Sequence, residues 1–252
     1  TVDAISNGTA YKRTIAQIRA LSGALPNTNF YTTDLGQEGN WYYDAIDIIS
    51  ADNTGTILVT ADGKRIKRVT QGAVNVMWFG AKADYSGDSG TDNVPAFNNA
   101  IASISSVNYL EIPKGAYFLS APITIAKSIK IKSLGDFYFA SGSDGFIFDG
   151  GNGNEKFDIA LEGVIKGTNT GSAYDSYVNT GVVIKNTYNG VFKFDNIQGF
   201  KEGLKLNSVG DGASPAGCQY NNISWDYFTN NKDNIILECT GTAINWINEN
   251  RF

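Results

Sequence analysis

Histidine is absent from the 252 residues of this chain. That absence removes Ser-His-Asp triads, Cys-His dyads and nearly all zinc sites from the chemistry open to it. Cysteine is almost absent too: Cys218 and Cys239 show neither metal-ligand spacing nor a CxxC redox pair. Both stand in strand-like segments, where a small apolar side chain packed inside the fold is the expected role. No run reaches the roughly 18 to 20 apolar residues of a membrane-spanning helix, so membrane insertion is not expected. Positive charge is in short supply, with 20 Lys and Arg against 25 Asp and Glu. Phosphate backbones demand clustered cations, so nucleic acid is not an expected partner. The single basic run, Lys64, Arg65, Lys67 and Arg68, is expected at a solvated strand edge that discourages pairing with other chains.

What the chain does have is short β-type runs separated by Gly, Asn and Asp. A helix is expected first, over residues 14–23: Thr14 and Gln17 form a capping box, Ile15, Ile18 and Leu21 share a face, and Gly23 ends it. Strands follow at 30–33, 40–44, 56–60 and 65–69, making a small α+β module. A second helix, 94–104, is signalled by Thr91-Asp92-Asn93 as cap, by Pro95 in the first turn, and by Val94, Phe97, Ile101 and Ile104 on one stripe. From Tyr109 onward the pattern is a long series of short strands, which means a sandwich, a barrel or a solenoid.

A weak repeat selects the solenoid. Gly190-Val-Phe-Lys-Phe-Asp-Asn-Ile197 followed by Gly203-Leu-Lys-Leu206 resembles Cys218-Gln-Tyr-Asn-Asn-Ile223 followed by Asn234-Ile-Ile-Leu237. A further copy begins at Thr242-Ala-Ile-Asn-Trp246, and the interval is about 22 to 27 residues, one coil per repeat. The sequence stops at Phe252 in mid-repeat, so the coils are expected to continue beyond it. The Asn-rich turns at Asn221-Asn222 and Asn230-Asn231 are expected to tolerate left-handed backbone.

Several stretches carry a family resemblance. Ile15-Ala-Gln-Ile-Arg-Ala-Leu-Ser22, Gly39-Asn-Trp-Tyr-Tyr-Asp44 and Lys64-Arg-Ile-Lys-Arg-Val69 resemble the small module that precedes the β-helix in phage tailspikes and capsule depolymerases. Val74-Asn-Val-Met-Trp-Phe-Gly-Ala-Lys82, Ala96-Phe-Asn-Asn-Ala-Ile101 and Tyr109-Leu-Glu-Ile-Pro-Lys-Gly-Ala-Tyr-Phe-Leu119 resemble the start of the pectate-lyase-like β-helix superfamily. Where that family runs through Gly-Asp-Gly and Thr-Asp-Asp, this chain has Ala83-Asp84-Tyr85 and Thr91-Asp92-Asn93. The resemblance implies a mainly β, right-handed parallel β-helix capped by a short helix. The implied divisions are a module at 1–72, a lead-in strand and capping helix at 73–108, and coils at 109–252. It further implies a virion-borne, extracellular homotrimer attached to the phage tail or baseplate on its N-terminal side. Such a protein binds and depolymerises bacterial surface polysaccharide, by hydrolysis rather than β-elimination. Two alternatives remain open: a non-catalytic glycan-recognising fibre or attachment fragment, and a secreted bacterial polysaccharide lyase. No cofactor or metal is implied.

The coils set the geometry in which catalytic acids must be sought. Adjacent strands lie about 4.8 Å apart, so two acids one coil apart match the short separation of a retaining glycosidase, and wider offsets match an inverting one. Candidate acids in the repeats are Asp195, Asp226, Glu238 and Glu249. Asp226 and Glu249, in the last two copies, are the expected catalytic acids, with the alternative that the site lies beyond residue 252. Trp225, Tyr227 and Glu238 are the expected substrate contacts, the two aromatics flanking Asp226 where a sugar ring could stack. For each acid the competing role is an ordinary solvated carboxylate, and for each aromatic an interior stack.

Overall fold

Thr14 accepts a hydrogen bond from the Gln17 amide (3.2 Å) while the Gln17 side chain accepts one from the Thr14 amide (2.9 Å). This reciprocal cap opens α1 (Ile15–Arg19) and turns Ile15 and Ile18 onto a small sheet. The sheet contains β1 (Tyr11–Arg13), β2 (Asn29–Thr32), β3 (Gly39–Asp44), β4 (Ile57–Val59) and β5 (Arg65–Arg68), in the order β1-β2-β3-β5-β4. Tyr11, Phe30, Trp41, Leu58 and Ile66 complete its own core. The computed structural model describes residues 10–25, 28–87, 89–151, 154–169, 174–210 and 216–252, so residues 1–9 of the expected module lie outside the described residues.

The basic run is not at a strand edge: β5 lies between β3 and β4. Its two lysines are paired within the module, Lys64 with Asp62 and Lys67 with both Asp44 and Asp47 at 2.8 Å. Arg68 is buried, its guanidinium 4.4 Å from the Trp41 ring and 4.5 Å from the Trp78 ring. It donates to the carbonyls of Gly55 (2.6 Å), Glu38 (2.8 Å) and Gln37 (2.8 Å), and burial lowers its pKa to about 10. A Cβ at Gly39 would collide with this guanidinium, which is why the position is glycine. Trp78 belongs to the following segment, so Arg68 also ties the module to what comes next.

From Ala73 the chain coils. One sheet takes β6 (Ala73–Asn75), β7 (Tyr109–Leu119), β9 (Ile129–Phe139), β11 (Phe157–Lys166), β13 (Val191–Gln198) and β16 (Asn222–Thr229). A second takes β8 (Ile123–Ile125), β10 (Phe146–Asp149), β12 (Thr180–Lys185), β14 (Glu202–Gly210) and β17 (Asp233–Gly241), and a third pairs β15 (Ala216–Gln219) with β18 (Asn245–Asn248). From β7 onward successive strands enter different sheets, and every pairing within these sheets is parallel. This is a parallel β-helix.

Alternation explains its core. On the first sheet the inward column runs Val74, Leu110, Ile131, Ile159, Phe192, Ile223, one residue per strand in register. On the second, Ile125, Phe148, Ile184 and Leu206 stack likewise, and Leu237 follows in register on the last described coil, where it is exposed. Each fully buried large apolar side chain in these columns contributes roughly 1.5 to 3 kcal/mol. α2 (Val94–Ser103) plugs the first coil, Phe97 meeting Tyr117 edge-on at 5.7 Å and Phe137 at 6.0 Å. Its cap differs from expectation. Asp92 accepts from Val94, whereas the buried Asn93 side chain bonds the backbone of Lys82, Thr91 and Phe118 and so ties the helix to the coil. No described helix is long and apolar enough to cross a membrane.

The corners correct the expected repeat. Asn189, Tyr220 and Glu249 have φ of 57°, 56° and 53° and stand at the same corner of three successive coils. The residue after each enters a buried hydrogen-bond stack: Asn221 Oδ1 accepts from the Gly190 amide (2.9 Å), and Asn250 Oδ1 accepts from the Asn221 amide (3.1 Å). At another corner Asn230 has φ of 55°, and Asn231 accepts from the Phe200 amide (3.0 Å) and donates to Ile197 O (2.8 Å). Asn221 and Asn231 therefore serve as internal ladder groups beside the left-handed residue. These stacks link residues 29 to 31 apart, longer than the expected interval. Gly203-Leu-Lys-Leu206 does lie over Asn234-Ile-Ile-Leu237, but Asn222-Ile223 stacks on Val191-Phe192 rather than on Asn196-Ile197. Cys218 is buried as expected, whereas Cys239 is exposed, and both are free thiols.

Candidate functional site

The outer face of the six-stranded sheet carries a strip of carboxylates. In β13 Phe194 points inward and Asp195 outward, and the registers Phe194 to Trp225 and Asn196 to Tyr227 set Asp226 of β16 directly over Asp195. The two carboxyl groups are thereby neighbours one coil apart on the same outward column. Partial burial raises the Asp195 pKa, and the negative charges of Asp226, Asp136 and Glu162 raise it further. Glu162 faces outward by alternation after the inward Leu161, and β11 bulges between Leu161 and Val164, so Glu162 and Gly163 together oppose Asp195. Glu162 accepts from Lys193 at 2.6 Å. Asp136 on β9 accepts from the Val164 amide at 2.9 Å, which fixes the far side of the same bulge. Among the described residues no three acids or cysteines converge as a metal site.

The expected site residues divide among different places. Asp226 is exposed on this strip, and Tyr227 beside it is exposed as well. Trp225 is turned inward: it continues the column of Leu161 and Phe194 and meets Phe228 at 5.3 Å and Phe252 at 6.1 Å. Its indole is part of the interior stack. Glu238 is on the second sheet and is tied to Lys205 at 2.8 Å, which also holds Glu202 at 3.2 Å. Glu249 sits in its left-handed corner, not on a strand face, where the Tyr220 hydroxyl and Gln219 hold its pKa below the usual value. That corner stacks on Tyr220, ahead of β16, whose run from Asn222 to Asp226 alone spans about 13 Å. The structure thus joins Asp226 to Asp195 and separates it from Glu249 and Glu238. An offset of 31 aligns Phe194-Asp195-Asn196 with Trp225-Asp226-Tyr227, the sequence signal that leads to the pair.

Two hollows accompany these groups. One, of about 620 Å³, lies at the corner of Asn189, Tyr220, Glu249 and Arg251. The other, of about 340 Å³, runs over β7, β9 and β11 on the same face as the acid strip, between Glu111, Pro113, Lys132, Leu134, Ala160 and Glu162.

Residues 12–71 match the family described as the phage tail protein small four-stranded beta-sheet domain. The chain superposes on the full-length tailspike protein 2 of the Escherichia coli O157:H7 bacteriophage CAB120 with a TM-score of 0.58 and 17% identity, covering 96% of this chain and 34% of that one. Looser matches are the tailspike protein of Acinetobacter baumannii phage AM24 (TM-score 0.38, 16% identity, 95% and 55% covered) and Pantoea stewartii WceF, a glycan biofilm modifying enzyme (TM-score 0.42, 13% identity, 94% and 48% covered). The chain spans about a third of the first of these proteins and about half of the other two. Residues 12–71 thus match a phage-tail β-sheet module, and the chain as a whole shares the parallel β-helix fold of the superposed structure.

Proposed function

We propose that this chain is tailspike polypeptide that binds bacterial surface polysaccharide and hydrolyses its glycosidic bonds at Asp195 and Asp226. The observation that carries this reading is the stacked pair itself, one coil apart, with the Asp195 pKa raised. A carboxyl group with a raised pKa is suited to give a proton to the leaving glycosidic oxygen, and a second carboxyl beside it to attack or stabilise the sugar cation. Strands about 4.8 Å apart put the pair at the short end of glycosidase separations, where the second carboxylate acts as nucleophile and configuration is retained. Exposed Tyr227 offers a ring face beside the pair. Glu249 stands too far along the coil to share this chemistry, and we assign it to sugar contact in the corner hollow.

Hydrolysis is favoured over β-elimination by the same geometry. Elimination needs a base beside the uronate α-carbon and a free cation to neutralise the carboxylate. The nearest cation, Lys193, is already engaged by Glu162. In this reading the module at 12–71 faces the phage tail, as its family match supports, and three chains assemble in parallel. Digestion of purified host capsule tests the reaction: new reducing ends without ultraviolet-absorbing unsaturated uronate are expected. Unsaturated products point to a lyase, and tight binding without cleavage to a glycan-recognising fibre.

A further inference from the structure

We propose that the groove over β7, β9 and β11 is a subsite for an acidic sugar, whose carboxylate pairs with Lys132 and whose ring lies over Leu134 and Pro113. The inference rests on the polysaccharide reading above and adds a substrate class to it.

The groove is built by irregularities on both sides. β7 shifts register against β9 between Ile112 and Gly115, and β11 shifts against β13 between Leu161 and Val164, so a concave stretch lies between two bulges. Its volume, about 340 Å³, is in the range of small-ligand sites. On its floor Leu134 is 56% exposed in the middle of a sheet face, with Pro113 and Ala160 alongside. An isolated apolar surface of this size suits the C–H face of a pyranose ring better than a protein partner.

Charge then selects the kind of sugar. The outward row in register reads Glu111, Lys132, Ala160, Lys193, Ser224. Lys193 is paired with Glu162, and Lys130, two residues before Lys132, is paired with Asp158. Lys132 forms no ion pair among the described residues, Glu111 opposite it included. Its ammonium lies 5.0 Å from the Tyr109 ring centroid. Ala160, with a single methyl, leaves the space next to that ammonium open. A carboxylate entering there meets an ammonium that lies over the Tyr109 ring but is paired with no carboxylate among the described residues, whereas a neutral sugar gains only the apolar floor.

Position makes the groove part of one track with the acid pair. Leu134 and Asp195 lie on the same outer strip two strands apart, about 10 Å at the usual strand spacing. A chain lying along the coil axis can therefore place an acidic residue in the groove while a bond about two sugars away reaches Asp195 and Asp226.

The test is methyl NMR on the full chain carrying labelled Leu and Ala, titrated at constant ionic strength with sodium glucuronate, glucose and sodium acetate. The Leu134 and Ala160 methyls are expected to shift with glucuronate at about fivefold lower concentration than with glucose, the size of one exposed ion pair. Acetate is expected to leave them unmoved. K132Q should erase the difference between the two sugars, and A160L, which fills the groove, should abolish both responses. D226N should retain the glucuronate preference, because it touches only the proposed cleavage chemistry. Equal midpoints for the two sugars, unmoved methyls, or an unchanged preference in K132Q each overturn the proposal. A protein that keeps the preference but cleaves no polysaccharide loses the hydrolase reading and leaves the subsite standing.

Discussion

Asp195 is held above the ordinary carboxylate range by burial first and by Asp226 second. The sign of the resulting pH dependence follows. Between the unfolded and folded pKa values the native state keeps a proton that the unfolded chain has released, so stability falls as pH rises through that window. D195N removes the repulsion. It is expected to melt above the wild type at pH 7, with the difference closing below about pH 4, where Asp is protonated in both states. A lower melting temperature at pH 7 would mark Asp195 as a structural group. Arg68 makes the opposite case. R68M removes two ring contacts and leaves the Gly55, Glu38 and Gln37 carbonyls without their donor, and is expected to lower stability by about 3 kcal/mol, read from the denaturant midpoint. R68K should not restore it, because an ammonium cannot span both rings and three carbonyls. Neither residue was fully legible in the sequence. A run of four cations at a strand end gives no hint that its strand is central, since sheet order is decided by tertiary pairing. The acid pair was half visible: Asp226 was singled out by its aromatic neighbours, but its partner depends on which residue lies one coil below.

Strands and helices were the most legible level. The capping box at Thr14 and the apolar stripe of α2 each follow a local rule, and each helix starts close to its expected place. β1 was missed, since Tyr11-Lys12-Arg13 has no alternating pattern and is a strand only by pairing with β2. The repeat was visible but misaligned, because Asn-Ile occurs at both 196–197 and 222–223 and draws the eye to a spacing that the corners do not use. The corners themselves are testable. N231A would leave the Phe200 amide and the Ile197 carbonyl unpaired inside the coil and is expected to destabilise by about 2 kcal/mol or more. Stability within a few tenths of a kcal/mol of wild type would show that water replaces the side chain there.

At the scale of the whole molecule, coils of unequal length stack because only the strand registers are constrained, while the connecting segments vary. This is why a β-helix could be read from alternation and turns while the position of any one side chain on its outer face could not. The proposed assembly of three parallel chains predicts a trimer mass by light scattering of the intact protein at micromolar concentration. A monomer there contradicts that assembly and leaves the fold untouched. The central claim, that the stacked Asp195 and Asp226 hydrolyse polysaccharide, is tested most directly by release of reducing ends from host capsule by the wild type, D195N and D226N, each shown to be folded. The account predicts that both substitutions lower the rate by orders of magnitude in proteins that remain folded, D195N melting above the wild type at pH 7 and the exposed Asp226 contributing little to stability. Turnover equal to wild type in both folded variants would contradict it.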